Sequence, residues 1–307
     1  MRKEEFYFDS NDKLTKLKAV KYLPEEKPTA VLLVVHGMCE HIGRYDKFAR
    51  FIADNGISFY GYDLLGHGDS ITSEDKLGYF AEEGYKIVQS DTLDLLKIVK
   101  EENPDVPCFI MGHSMGSFIT RYFLSEHGDM LDGAIIMGTG NQPLIALKLG
   151  VLITKIIATF KGWKYRSSFV NSLVLGAYNK KFEPSDTHCE WLSRNHDSNE
   201  EYFKDPKCGH CFTLNGFLNL FETIIKTQDK NQLIKMPKDL PIFFVSGDED
   251  PVGSNGKEVK DAYNIFKELG MKDVKMKLYP NERHEILAEL DADTVFNDIL
   301  NWIKERV

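Results

Sequence analysis

The stretch CFIMGHSMGSFITRYF, residues 108–123, decides the fold. Its first six residues make an apolar run of strand length, and from Met115 onward the apolar residues recur at helical spacing. Between the two runs, Gly112, Ser114 and Gly116 spell G-x-S-x-G. A serine in that setting sits on a sharp, strained turn from strand to helix, and the flanking glycines keep side chains from colliding with neighbouring backbone. The five residues alone are a common pattern. The strand before them and the helix after them make Ser114 a candidate nucleophile, with Gly112, His113 and Gly116 as its immediate support.

Working outward, the same alternation extends in both directions. Upstream, EEFYFDS and LTKLKAVKYL flank the polar turn NDK and read as a hairpin. TAVLLVVHG is a strand, RYDKFARFIADNG a helix stopped by Gly56, ISFYGYD a strand, and the run from Tyr85 to Asn103 a helix. Downstream come the strand LDGAIIMGTG and, much later, the strand LPIFFVSGDED, the helix GKEVKDAYNIFKELG, the strand VKMKLYP and a final amphipathic helix. Strands apolar on both faces that alternate with helices predict an α/β fold, a mostly parallel central sheet with helices on both faces. The alternation stops for roughly 100 residues, far more than an ordinary loop. That break defines a core of residues 1–140 and 237–307 and an inserted helical cap, or lid, of residues 141–236, opening with PLIALKLGVLITKIIATFKGW. This opening run is helical in length and apolar almost all round, and helices of that kind are usually buried.

Composition narrows the function. Of 307 residues 42% are hydrophobic, enough for a large core, while 38 basic against 47 acidic side chains give a net charge of −9 and no general attraction to nucleic acid. The start, MRKEEFYFDSND, has no apolar run of signal-peptide length, so a cytoplasmic location is expected. Five cysteines is an odd number, which fits free thiols. CGHC, residues 208–211, matches a redox or half-zinc spacing, but it has neither a βαβ context nor a second ligand pair, so no metal is expected.

A serine hydroxyl needs a base and an orienting acid, and in this fold class their order is serine, acid, histidine. Beyond the insertion the chain has one histidine, His284, just after the last strand. The strand ending in GDED offers Asp248, Glu249 and Asp250; Asp250 is preferred because Pro251 holds it extended, with Asp248 as the alternative. The oxyanion that develops on an attacked carbonyl needs donors, for which the backbone N–H groups of Met115 and, after Gly37, Met38 are the candidates. His36 is read as ordering that loop, and Glu40, His41 and Arg44 as bracing one another. YGYDLLGHGDS, residues 60–70, lacks the spacing of a phosphate loop, so Asp63, His67 and Asp69 are assigned structural hydrogen bonds.

HGMCEHIGRY, YDLLGHGDS, GHSMGS, SGDEDPVG and RHEIL, in this order, resemble the monoacylglycerol lipase and lysophospholipase group of α/β-hydrolases, of the serine aminopeptidase type, over nearly the whole length. The resemblance implies an α/β-hydrolase fold, the triad Ser114, Asp250 and His284, oxyanion donors on Met38 and Met115, and no cofactor. It also implies a small-molecule ester substrate with an acyl chain, monoacylglycerol or lysophospholipid, cleaved through an acyl-enzyme beneath the cap. The alternatives are a carboxylesterase for small or aromatic acyl esters or a related aminopeptidase, and more remotely a non-catalytic binding protein of the same shape. The apolar run from Pro143 to Phe160 lines an acyl channel, packs the cap on the core, or, with Lys148, Lys155, Lys161 and Lys164, makes transient contact with a membrane surface. Head group and oligomeric state stay open.

Overall fold

The hairpin at the start of the chain forms the antiparallel margin of one sheet. In a computed structural model describing residues 1–307, β1 (Arg2–Asp9) pairs with β2 (Lys16–Leu23), and β2 pairs antiparallel with β4. The remaining strands, β3 (Ala30–Val35), β4 (Ile57–Tyr62), β5 (Cys108–His113), β6 (Gly133–Met137), β7 (Ile242–Gly247) and β8 (Val274–Tyr279), run parallel. The sheet order is β1-β2-β4-β3-β5-β6-β7-β8.

The continuous apolar strands are explained by cover on both faces. Along β3, Val31, Leu33 and Val35 enter one buried cluster, while Leu32 and Val34 enter the other, as side-chain alternation requires. The first cluster is closed by α2 (Gly84–Glu102), α3 (Met115–His127) and later α9 (Lys257–Glu268). The second is closed by α1 (Asp46–Asp54) and the final helix, α10 (Ala292–Lys304). Helix α1 stops where expected, since Gly56 takes up a φ of +84° two residues beyond it.

Between β6 and β7 the chain builds α4 (Leu144–Lys161), α5 (Ser168–Leu175), α6 (His196–Lys204), α7 (Leu214–Lys226) and α8 (Lys230–Leu233). Both roots of this insertion are tied to α3 by the buried Arg121, whose guanidinium donates to Gly140 O at 2.8 Å and Thr227 O at 3.3 Å. Helix α4 departs from the expected burial. Only Leu147, Thr154 and Ala158 are buried, and Ile145 and Phe160 are each 83% exposed, because α7 backs one side of α4 and nothing covers the other. No helix is long and apolar enough to cross a membrane.

Candidate active site

The turn from β5 into α3 is as strained as its sequence implies. Ser114 has φ 53° and ψ −120°, a conformation that costs a non-glycine residue energy and persists only where packing enforces it. Two close approaches do so here. A Cβ on Gly112 would strike the carbonyl of Gly116, and one on Gly116 would strike the carbonyls of Val35 and His36. The elbow is thereby pressed against the end of β3, which sets Ser114 beside the loop that carries Met38. The Ser114 N–H donates to Met137 O at 3.0 Å, and Met115 opens α3, where backbone N–H groups lack partners within the helix.

That loop is held by charge. The buried carboxylate of Glu40 accepts from the Gly37 N–H at 2.5 Å, Tyr45 Oη at 3.0 Å, Arg44 at 3.1 Å and His113 Nδ1 at 3.2 Å. Burial alone would raise its pKa, but the hydrogen bond and charge of His113 and the charge of Arg44 hold it well below the usual carboxylate range. Burial likewise lowers His113, and Glu40 outweighs it to raise that imidazole. His36 orders the neighbouring loop: Nδ1–H donates to Gly37 O at 2.8 Å, leaving Nε2 to accept from the Leu64 N–H at 2.9 Å. Asp63 receives the N–H groups of Ile42 and Asp69, each at 2.8 Å; His67 Nδ1 meets Leu65 O at 3.2 Å; and Asp69 pairs with Lys18 at 3.2 Å and Lys207 at 2.5 Å.

The expected bracing among Glu40, His41 and Arg44 needs correction. Glu40 and Arg44 do pair, but His41 turns away, because its Nδ1 caps the short 3-10 turn Ile42–Tyr45 by accepting from the Gly43 N–H. Its Nε2–H then donates to Asp205 of the insertion at 2.9 Å. Cys208 lies within 4.8 Å of that pair. The His41 tautomer is fixed with its proton toward Asp205, and burial pushes the Cys208 thiol up, so the His41–Asp205 pair forms a hydrogen-bonded joint beside a protonated thiol. Burial also raises Cys39 and Cys211. Cys39 Sγ–H donates to His210 O at 2.8 Å, and the Gly209 N–H donates back to Cys39 O at 3.0 Å. The CGHC turn thus grips the loop after β3.

His284, in the loop after β8, is buried with Nδ1 2.9 Å from Asp250 Oδ2. Asp250 also accepts from Ser246 Oγ at 3.1 Å and the Val252 N–H at 2.8 Å. Asp248, the alternative, points elsewhere and accepts from the Asn281 N–H at 2.7 Å. With Nδ1–H donating to Asp250, the imidazole keeps a lone pair on Nε2, which is able to take a hydroxyl proton. Ser114 and His284 line the same cavity of about 480 Å³, together with Met38 and Met115, and no hydrogen bond joins the serine to the imidazole. From α4, Ala146, Leu149, Gly150 and Ile153 face the cavity at helical spacing.

Several lining residues carried no sequence signal of a role. Trp191 and Tyr178 come from the insertion, and Glu285, next to His284, makes a two-pronged pair with Arg44 at 2.6 and 2.7 Å. The lining includes the carboxylates of Glu40, Glu258 and Glu285 and no lysine or arginine.

Comparison with known proteins gives a consistent grouping. Residues 26–291 match the family described as serine aminopeptidase, S33. The chain is 26% identical to a monoglyceride lipase of Rattus norvegicus, with 92% of this chain and 85% of the relative covered. It is 23% identical to a monoacylglycerol lipase of Mycolicibacterium smegmatis, with 92% and 90% covered. Among solved structures it superposes with a TM-score of 0.92 on a highly thermostable carboxyl esterase from Bacillus coagulans in complex with glycerol, 29% identical, covering 100% of this chain and 99% of that one.

Proposed function

The chain belongs to the serine aminopeptidase S33 family of hydrolases, and from that premise we propose that it hydrolyses the carboxylic ester of a monoacylglycerol. The observation that carries this reading is the cavity beside Ser114, apolar along most of its wall and without a lysine or arginine. An acyl chain gains about 0.8 kcal/mol for each methylene buried there. A phosphate head group would meet the side chains of Glu40, Glu258 and Glu285; Arg44 counters Glu40 and Glu285, and His113 also counters Glu40, which leaves Glu258 without a basic partner. A neutral glycerol ester avoids that repulsion. The relatives bearing the name monoglyceride or monoacylglycerol lipase support the same choice.

The proposed chemistry is acyl transfer. Ser114 Oγ attacks the ester carbonyl as His284 Nε2 takes its proton, and Asp250 stabilises the imidazolium. The N–H groups of Met38 and Met115 receive the oxyanion. As the tetrahedral carbon collapses, its bond to the glycerol oxygen breaks and His284 returns the proton to the leaving alcohol. Water, deprotonated by His284, then attacks the acyl-enzyme; the acyl–Oγ bond breaks, His284 returns the proton to Ser114 Oγ, and the fatty acid is released. Residues 141–236 serve as the cap over the acyl chain. The exposed outer side of α4, with Ile145, Leu152, Ile156 and Phe160 beside Lys148 and Lys155, supports transient contact with the lipid from which such a substrate is drawn. Five free cysteines fit a reducing, cytoplasmic setting.

Hydrolysis of 1-monoacylglycerol should exceed that of lysophosphatidic acid of equal chain length, and Ser114→Ala should abolish both turnover and fluorophosphonate labelling, a loss on the order of 10⁶-fold in kcat. Faster cleavage of the phosphate ester, or labelling that survives Ser114→Ala, refutes the assignment. The close superposition on a carboxyl esterase favours a second reading, an esterase of short acyl chains. A p-nitrophenyl ester series whose rate peaks at two to four carbons would select it.

A further inference from the structure

The His284 imidazole is flanked by two aromatic rings. His113 lies with its ring centroid 4.8 Å away and Trp191 at 5.1 Å with 32° between the planes; Tyr178 in turn backs Trp191 at 5.1 Å. Trp191 and Tyr178 come from the insertion, whereas His284 belongs to the loop after β8. A ladder of hydrogen bonds ties the two segments together. Leu192 O accepts from the Glu285 N–H at 2.7 Å, Trp191 O from the His284 N–H at 3.4 Å, and Ser193 O from Arg283 at 3.1 Å. Glu289 accepts from the Arg194 N–H and Nε, both at 3.0 Å. Residues 190–194 thus form a strap that crosses from the insertion onto the segment 283–289.

We propose that Trp191 is a positioning residue for the base His284, brought onto the imidazole by this strap. The proposal rests on the assignment of His284 as base made above. Its physical content is twofold. An indole face beside the ring limits rotation that would swing Nε2 away from Ser114, and small misplacements of a reacting group are costly. The base also becomes a flat cation when it takes the serine proton, and an aromatic face is a favourable neighbour for such a cation. Docking of the cap and alignment of the base are then one event.

Trp191→Leu and Trp191→Phe, assayed with p-nitrophenyl acetate and with a long-chain 1-monoacylglycerol, test this. The acetyl group is too short to use the distant acyl wall. Trp191→Leu is expected to lower kcat about tenfold on both esters with KM within twofold, and Trp191→Phe to restore most of the loss. An unchanged kcat on the acetate, or a defect confined to KM for the long ester, overturns the proposal and leaves Trp191 as acyl wall alone. Trp191→Met, unbranched and without a ring, replaces Trp191→Leu in the same comparison should the leucine variant not fold. Fluorophosphonate labelling keeps the two readings apart. A parent that labels at Ser114 and loses activity in His284→Ala keeps its base even if Trp191 proves inert, whereas activity unchanged in both Ser114→Ala and His284→Ala removes the premise.

Discussion

Helices α3 and α4 are both rich in apolar side chains and have opposite surroundings. Eleven of the 13 residues of α3 are buried, because it lies on the sheet with α7 across its outer side. Only three of the 18 residues of α4 are buried. One stripe of α4 faces the cavity and α7, and the opposite stripe faces outward. Apolar sequence shows what a helix is able to bury, and its neighbours decide whether anything does. In α3 those side chains fasten the helix to the sheet; in α4 they form a wall and an open surface.

The largest expected effect separates the two helices by stability. Phe123 in α3 is 0% exposed and Phe160 in α4 is 83% exposed. Phe123→Ala should cost about 3–5 kcal/mol, lowering Tm by roughly 5–8 °C, whereas Phe160→Ala should stay within about 0.5 kcal/mol. Thermal unfolding of the two variants reads this directly, and similar losses at both positions would mean that α4 has a packing partner.

A smaller effect should appear in selectivity. Ile153 faces the cavity from α4, so Ile153→Trp should shorten the space for an acyl chain. Excluding two or three methylenes forfeits about 2 kcal/mol, or roughly a 30-fold fall in kcat/KM for a sixteen-carbon ester relative to a four-carbon one. Retained preference for the long ester would place the chain elsewhere in the cavity.

These contrasts explain how far the sequence could be read. The body was legible because a sheet covered on both faces forces continuous apolar runs, as in β3, β5 and β7, and because the fold class orders the groups at the strand ends. Ser114, Asp250 and His284 come together from that logic. Asp248 and Asp250 differ by only two positions, and it is the local turn, with Asp250 accepting from Ser246 Oγ and Val252 N–H, that sends one inward and the other toward Asn281. His41 was misread since nearness in sequence to Glu40 and Arg44 hides the 3-10 turn that rotates it toward Asp205. Trp191, backed by Tyr178, reaches His284 only through the strap, a tertiary contact across about 90 residues that leaves no periodic trace. The uncovered side of α4 is illegible for the same reason.

The smallest expected effect lies at the seam between body and insertion, on Glu282. This side chain is 3% exposed, its Oε2 has no hydrogen-bond partner, and Glu289 and Asp291 stand near it with Arg194 and Lys277. Burial first, and then the charge of Glu289, push its carboxyl up to about 7. The unfolded chain releases that proton near 4.5, so between about pH 4.5 and 7 the folded protein binds more protons than the unfolded one. Stability from this group is therefore present at low pH and is lost as pH rises through 7. Glu282→Gln keeps the shape of the protonated acid and removes the titration. The variant should match the parent near pH 4.5 and exceed it at pH 8 by on the order of 1 kcal/mol, a gain in Tm of about 1–2 °C. Tm measured across this range checks the sign as well as the size. A variant less stable than the parent at pH 8 would mean that the Glu282 carboxylate is paired across the seam, and that body and insertion are joined there by charge rather than by the strap's hydrogen bonds alone.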